Sequence, residues 1–287
     1  MNLPPAHLNP IRPVTTWVTP PVATRPCRPA SSSVTLVGAG PGDPELLTIK
    51  AVKAIAAATV ILVDDLVNDA VLAHAQANAR IVHVGKRGGC KSTPQAFIEK
   101  LMVTAARAGE AVVRLKGGDP FIFGRGGEEI EALQAAGISV QVVNGITAGL
   151  AALTSLNVPL THRDHAHGVV FVTGHAKPGD TGTDWPLLAA AAHQAKLTLV
   201  IYMGVSGSQH IQDELLQGLP GHTPAAVIQH ASLPEQRHVV TTLQALRSTI
   251  EAHHMQSPSV IVVGDVLQGL ASLAQRQSPQ LRHARGH

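Results

Sequence analysis

The chain has 287 residues, 45% hydrophobic and 14% charged, with no apolar run near the roughly 20 residues of a bilayer span. This argues against a disordered body and against a membrane-spanning helix, fits a soluble α/β protein, and leaves room for a substantial core, with two domains expected. The net charge of +3 does not argue for nucleic acid: Arg12, Arg25 and Arg28 in 1–33 and Arg276, Arg282 and Arg285 in 271–287 lie in acid-free tails, so the body carries about −3, and only 2% of residues are aromatic.

In chain order, residues 1–33 are rich in Pro, Thr, Ser and Arg and lack a long apolar stretch. A disordered extension is expected there rather than a secretion signal. VTLVG (34–38) then reads as a buried strand, and ELLTIKAVKAIAAA (45–58) as a helix with an apolar stripe. TVILV (59–63), ARIVHVG (79–85), AVVRL (111–115) and ISVQVV (138–143) read as further strands, with a helix over 94–109 between Pro94 and Gly109. Short apolar runs separated by helices predict a mainly parallel sheet and an α/β domain over 34–145.

Beyond NGITAGLAALTSL, strands are expected at 168–174, 197–203, 225–229, 238–242 and 258–264, and helices at about 184–195, 206–217 and 242–253. AAVIQ (225–229) and HVVTT (238–242) leave no room for a helix between them, so this second α/β domain, 146–270, is expected to hold a mixed sheet. A basic tail, 271–287, follows. Cys27 and Cys90 form no CxxC pair, and a reduced cytoplasmic compartment is the default.

Two glycine loops carry the chemistry. VGAGPGDPELL (37–47) leaves the first strand and enters a helix, with Gly38, Gly40 and Gly42 permitting a tight turn and close approach of a ligand. Its spacing is neither G-x-G-x-x-G nor a phosphate loop, and Asp43 would repel phosphate. RLKGGDPFIFGRGGEE (114–129) packs five glycines beside charges of both signs. Gly117 and Gly118 bare the backbone, and Asp119 can accept hydrogen bonds from hydroxyls or an amine. Both loops fall at carboxyl ends of strands, where open α/β sheets bind ligands. A compact cation bearing a ribose and an amino group fits better than a polyanion, and S-adenosylmethionine has those groups.

VGAGPGDPELLT, VGKR, RLKGGDPFIFGRGGEE, GITA, PLTHRD, VTGH and YMG, in this order over about residues 34–266, resemble the tetrapyrrole methylase family in its uroporphyrinogen-methylating branch. The resemblance implies a two-domain fold with the active-site cleft between the domains, and a homodimer. It also implies S-adenosylmethionine-dependent methylation of uroporphyrinogen III at C2 and C7, giving precorrin-2 for sirohaem or cobalamin. No dehydrogenase and ferrochelatase module is expected in 1–33. Cofactor contacts are implied at Pro41, Gly117, Gly118, Asp119, Ile122, Thr147, Ala148 and Met203. Ala231 is included too, although the family usually has glycine there, and alanine fits only if the backbone needs no positive φ.

The same resemblance makes Asp64 the proton acceptor and Lys86 the proton donor. It also meets a departure: Val63-Asp64-Asp65-Leu66 stands where Tyr-Asp-Arg-Leu is usual. A helix cap or a solvated loop acid remains the plain alternative for Asp64, and a surface lysine or carboxylate anchor for Lys86. The substrate's eight carboxylates call for cations, with Arg125 and Arg163 as first candidates and Arg87, Arg114, Lys116, His162 and Lys177 behind them. Arg125 has Glu128 or Glu129 as rival partners, and Arg163 has Asp164. The histidines of THRDHAHGVVFVTGH include no H-E-x-x-H, and no metal is expected. Two rivals stay open: a relative with another tetrapyrrole or RNA as acceptor, and a non-catalytic binder of tetrapyrrole or S-adenosylmethionine.

Overall fold

The computed structural model describes residues 32–85, 93–175, 179 and 182–269. The described residues cluster as one compact unit, built on two five-stranded sheets. The first contains β1 (Ser33–Gly38), β2 (Val60–Val63), β3 (Arg80–His83), β4 (Val112–Lys116) and β5 (Ser139–Val143), in the order β3-β2-β4-β1-β5. All its pairings are parallel, with Gly38 opposite Lys116 and Val63 opposite Leu115. The carboxyl ends therefore lie level along one edge. Central β2 and β4 are buried at every position, as expected for a parallel strand covered on both faces. Edge strand β5 alternates exposed and half-buried residues along most of its length.

The helices of this half are α1 (Ile49–Ala57), α2 (Gln95–Arg107) and α3 (Gly126–Ala135). Helix 45–58 of the sequence reading is in fact a 3₁₀ turn, Pro44–Leu46, followed by α1. Two caps stand in succession: Asp43 accepts from the Glu45 amide, and Thr48 accepts from the Ala51 amide. Each restarts the backbone after an extended residue. Two apolar clusters fill the sheet's two faces, around Leu36, Leu62 and Met102, and around Val37, Ile61 and Leu115.

After α4 (Ala148–Thr154) comes the second sheet, of β6 (Gly168–Thr173), β7 (Leu197–Tyr202), β8 (Pro224–Gln229), β9 (Arg237–Thr242) and β10 (Ser259–Val263). Its order is β6-β7-β10-β8-β9. β6 and β7 are parallel and the other pairings antiparallel, which is the mixed sheet expected. The last strand, β10, inserts between β7 and β8. Helices α5 (Trp185–Ala195), α6 (Ser208–Leu215) and α7 (Leu246–Ala252) bury Trp185, Ile211 and Leu246 with Leu199 and Val227 of the sheet. Predicted helix 242–253 starts as a 3₁₀ turn, Leu243–Ala245. Among the described residues no helix is long and apolar enough to cross a membrane.

Candidate active site

The two glycine loops meet backbone to backbone. Gly40 and Gly118 exchange hydrogen bonds, with the Gly118 amide 2.7 Å from the Gly40 carbonyl oxygen and the Gly40 amide 3.2 Å from that of Gly118. The turn after β5 joins them. A Cβ on Gly145 would stand 2.1 Å from the Gly118 carbonyl oxygen, and one on Gly38 would stand 2.5 Å from the Gly145 nitrogen. Three strand ends thus converge at a spacing that admits no side chain. Gly118 also has φ +66°, which favours glycine on its own account.

Asp119 is buried at the centre of this junction, with 6% of its surface exposed. Its Oδ1 accepts from the Phe121 amide at 2.8 Å, and its Oδ2 from Asn144 Nδ2 and the Gly145 amide, both at 3.1 Å. A carboxylate has about four acceptor sites. Three of them here brace the protein's own loops, so Asp119 is a clamp between the β4 and β5 loops.

Loops of the second sheet close on the same edge. Tyr202, the chain's one tyrosine, ends β7 with its hydroxyl 2.7 Å from both the Gly149 amide and Thr147 Oγ1. Burial raises its pKa, opposed by these two hydrogen bonds. The ring lies 4.9 Å from that of Phe123. Thr147 and Ala148 are thereby held against Gly118, whose added Cβ would lie 3.7 Å from Thr147 Cα. Met203 follows with φ +55° and is 47% exposed. On the other side, Ser232 Oγ accepts from the Asp43 amide at 3.1 Å, and Leu233 lies against Gly42. The positive φ values here fall on His230 and Ser232, not on Ala231. The alanine is therefore accommodated where the family has glycine.

The structure thus brings Pro41, Gly117, Gly118, Asp119, Thr147, Ala148, Met203 and Ala231 onto one contiguous set of loops, and Ile122 joins them through its amide to the Asp119 carbonyl, 3.3 Å. Non-glycine residues with left-handed backbone cluster on the same loops: Phe123, Arg125, Met203, His230 and Ser232. Such strain persists where surrounding structure imposes it, and it concentrates at functional sites.

Asp64 follows β2 beside the GGDP loop, its amide 3.1 Å from the Leu115 carbonyl. It is neither a helix cap nor a merely solvated acid. Its Oδ2 lies 3.1 Å from Arg114 Nη2 and 3.9 Å from Lys116 Nζ. Arg114 and Lys116, read from the sequence as possible substrate anchors, are only 2% and 3% exposed. They sit on the central strand and pair with Asp64 and with Glu129, which is wholly buried. That role is corrected: their charges are spent inside the protein. Burial lowers the pKa of Lys116 and neighbouring Arg114 lowers it further, against Glu129 and Asp64. The sequence held one signal of this, since charges two apart on a strand buried on both faces require internal partners.

Arg125 pairs with Glu128, Nη2 to Oε2 at 2.5 Å, in a pair about half exposed on both sides. This is one of the rival partners considered for it, and such pairs are weak enough for a substrate carboxylate to compete. Arg163 is exposed and makes no ion pair among the described residues, while its carbonyl lies 3.2 Å from His167 Nε2. His162 bridges Ala166 and stacks on His165, with ring centroids 4.6 Å apart. Among the described residues no hydrogen bond or ion pair links Arg163 or His162 to the glycine loops. Lys86, Arg87 and Lys177 lie outside the described residues. Among those described, no three His, Cys, Asp or Glu side chains are grouped to hold a metal.

Arg125 offers a separation of fold from function. Its φ of +57° at the start of α3 costs roughly 1 kcal/mol that glycine would recover. Arg125→Gly is expected to hold or raise the Tm in calorimetry while raising the KM for a polycarboxylate substrate about tenfold, the worth of one charge-assisted contact. A lowered Tm with unchanged KM would contradict both assignments.

Residues 33–247 match the family described as Tetrapyrrole (Corrin/Porphyrin) Methylases. A uroporphyrinogen-III C-methyltransferase of Pseudomonas aeruginosa is 50% identical over 243 residues, covering 84% of this chain and 97% of that protein. Siroheme synthase 1 of Aeromonas hydrophila is 48% identical over 239 residues, 83% of this chain, but the matched part is only 50% of that protein. The crystal structure of uroporphyrin-III C-methyl transferase from Thermus thermophilus complexed with S-adenosylhomocysteine superposes with a TM-score of 0.68 at 39% identity, covering 82% of this chain and 99% of that one. Sequence and architecture agree over most of the chain's length, and on that ground it belongs to the tetrapyrrole methylase family.

Proposed function

We propose that this chain methylates uroporphyrinogen III at C2 and C7 with S-adenosylmethionine, giving precorrin-2. The observation that carries the reading is the junction of Gly38, Gly118 and Gly145, where backbone rather than side chain faces the carboxyl edge of the sheet beside Asp64. S-Adenosylmethionine supplies an electrophilic methyl carbon: the carbon–sulfur bond breaks as a bond to the pyrrole carbon forms, S-adenosylhomocysteine departs, and the macrocycle loses a proton. Backbone carbonyls at such a junction can offset a sulfonium charge without themselves being methylated. Much of the rate then comes from positioning. Asp64, 37% exposed, is the acid placed to take the proton, and Lys86 remains the proposed donor. Arg125, His162 and Arg163 serve the substrate's carboxylates.

The halves 34–145 and 146–270 act in this reading as the two lobes of the site, in a cytoplasmic homodimer. Purified protein incubated with methyl-labelled S-adenosylmethionine and uroporphyrinogen III tests the whole. Two labels per macrocycle are expected. Labelling only of another tetrapyrrole or of RNA, or binding without turnover, overturns it.

A further inference from the structure

Glu129 lies on α3 with none of its side chain exposed. Its Oε1 accepts from Arg114 Nε at 3.0 Å, Lys116 Nζ at 3.1 Å and Gln95 Nε2 at 3.2 Å. Its Oε2 is buried with no hydrogen-bond partner among the described residues. Both cations reach onward from that one oxygen to a single oxygen of Asp64, Oδ2. Arg114 is further fixed by its Nη1 on the Leu115 carbonyl, 3.2 Å, and Asp64 by its Oδ1 on the Asp65 amide, 3.2 Å. The charges therefore run in series: a buried anion, two buried cations, and a carboxylate at the site's edge.

Stability alone does not account for this arrangement. Buried ionic clusters are commonly no better for stability than apolar side chains of the same volume, and leaving an acceptor empty adds a further cost. What the cluster does achieve is orientation. An acid on a strand-end loop has several rotamers open to it, and Arg114 and Lys116 narrow them by holding Oδ2 from the β4 side. Glu129 in turn holds both cations, sharing Arg114 with the Leu115 carbonyl. Lys116 depends on it most, because burial already disfavours its charge.

We propose that Glu129 is a positioning residue for methyl transfer, acting through Arg114 and Lys116 to aim the Asp64 carboxylate. This rests on the reading of Asp64 as proton acceptor. Glu129 touches no substrate. Its contribution is to keep the Asp64 carboxylate in a single orientation, and a displacement near 1 Å can cost about 100-fold in rate.

Glu129→Gln tests it. The amide retains an acceptor oxygen of the same reach and removes the anchoring charge. The expected result is a fall of about tenfold or more in kcat for uroporphyrinogen III methylation, with the Kd for S-adenosylhomocysteine within about twofold of the parent. A double-mutant cycle then separates positioning from general weakening. In an Asp64→Asn background the Glu129→Gln change should have no further effect on kcat, since the group it aims is gone. Lys116→Met, which removes one link and keeps the chain length, should behave in the same way and serves if Glu129→Gln does not fold. If Asp64→Asn alone retains the parental kcat, the proton-acceptor reading fails and the proposal falls with it. If Asp64→Asn is impaired but Glu129→Gln retains the parental kcat, or if it lowers kcat equally in both backgrounds, only the positioning role is overturned.

Discussion

Gly145→Ala should lower the Tm by roughly 2–12 °C and weaken S-adenosylhomocysteine binding at least tenfold. The added Cβ would stand 2.1 Å from the Gly118 carbonyl oxygen, 2.8 Å from the Gly38 carbonyl carbon and 2.9 Å from Gly38 Cα. All three obstacles are backbone, so no rotamer change relieves the overlap. Overpacking in an adaptable core costs about 1–3 kcal/mol, and at roughly 2–4 °C per kcal/mol for a domain of this size the shift follows. Here the relaxation must displace a strand end. The displaced ends are those of β1 and β4, which carry GPGDP and GGDP, so the loss of stability and the loss of ligand affinity share one cause. Gly127→Ala gives the contrast on stability: its Cβ would meet nothing within 4 Å, and it lies in the first turn of α3. It should leave the Tm unchanged or raise it slightly. Parental Tm and affinity in Gly145→Ala would show that the three loops are not tightly joined.

The strands of the first sheet could be read within a residue or two because β1, β2 and β4 are near-continuous Val, Ile and Leu runs, as parallel burial requires. The antiparallel pair β8 and β9 could be read because its connection is too short for a helix. The position of β10 could not: its partners β7 and β8 lie far back in the chain, and nothing local specifies which sheet gap receives it. The glycine loops were likewise found from local composition, since each lies within one turn of the strand that presents it. Arg114 and Lys116 were misread for the same local reason. Charges beside a ligand motif resemble anchors until the depth of β4 and the presence of Glu129, more than ten residues away, are known. Tyr202 carries no spacing signal at all, and its hydroxyl acquires a role only when β7 delivers it to Thr147 and Gly149.

Asp119→Ala is expected to be the more damaging change to the cofactor loops, and its pattern of losses is specific. Removing the carboxylate leaves the Phe121 and Gly145 amides and Asn144 Nδ2 without their acceptor. Each buried orphan costs about 1–3 kcal/mol before water enters, so a net loss of about 2–4 kcal/mol is reasonable for a single substitution. The β4 and β5 loops then separate where Gly118 meets Thr147. The Kd for S-adenosylmethionine should rise at least tenfold, while the KM for the macrocycle, which depends on Arg125 and its neighbours, should change less. Asp119→Asn refines the argument. It keeps one acceptor oxygen but turns an NH₂ group toward donors, so at least one of the three bonds is lost whichever way the amide faces. Its Tm should fall between those of the parent and the alanine variant, with cofactor affinity reduced in the same order. Cofactor dissociation constants equal to the parent's in both variants would mean that the clamp does not shape the cofactor loops. An alanine variant with parental Tm but weakened cofactor would instead show Asp119 acting on the ligand directly, with the internal hydrogen bonds incidental.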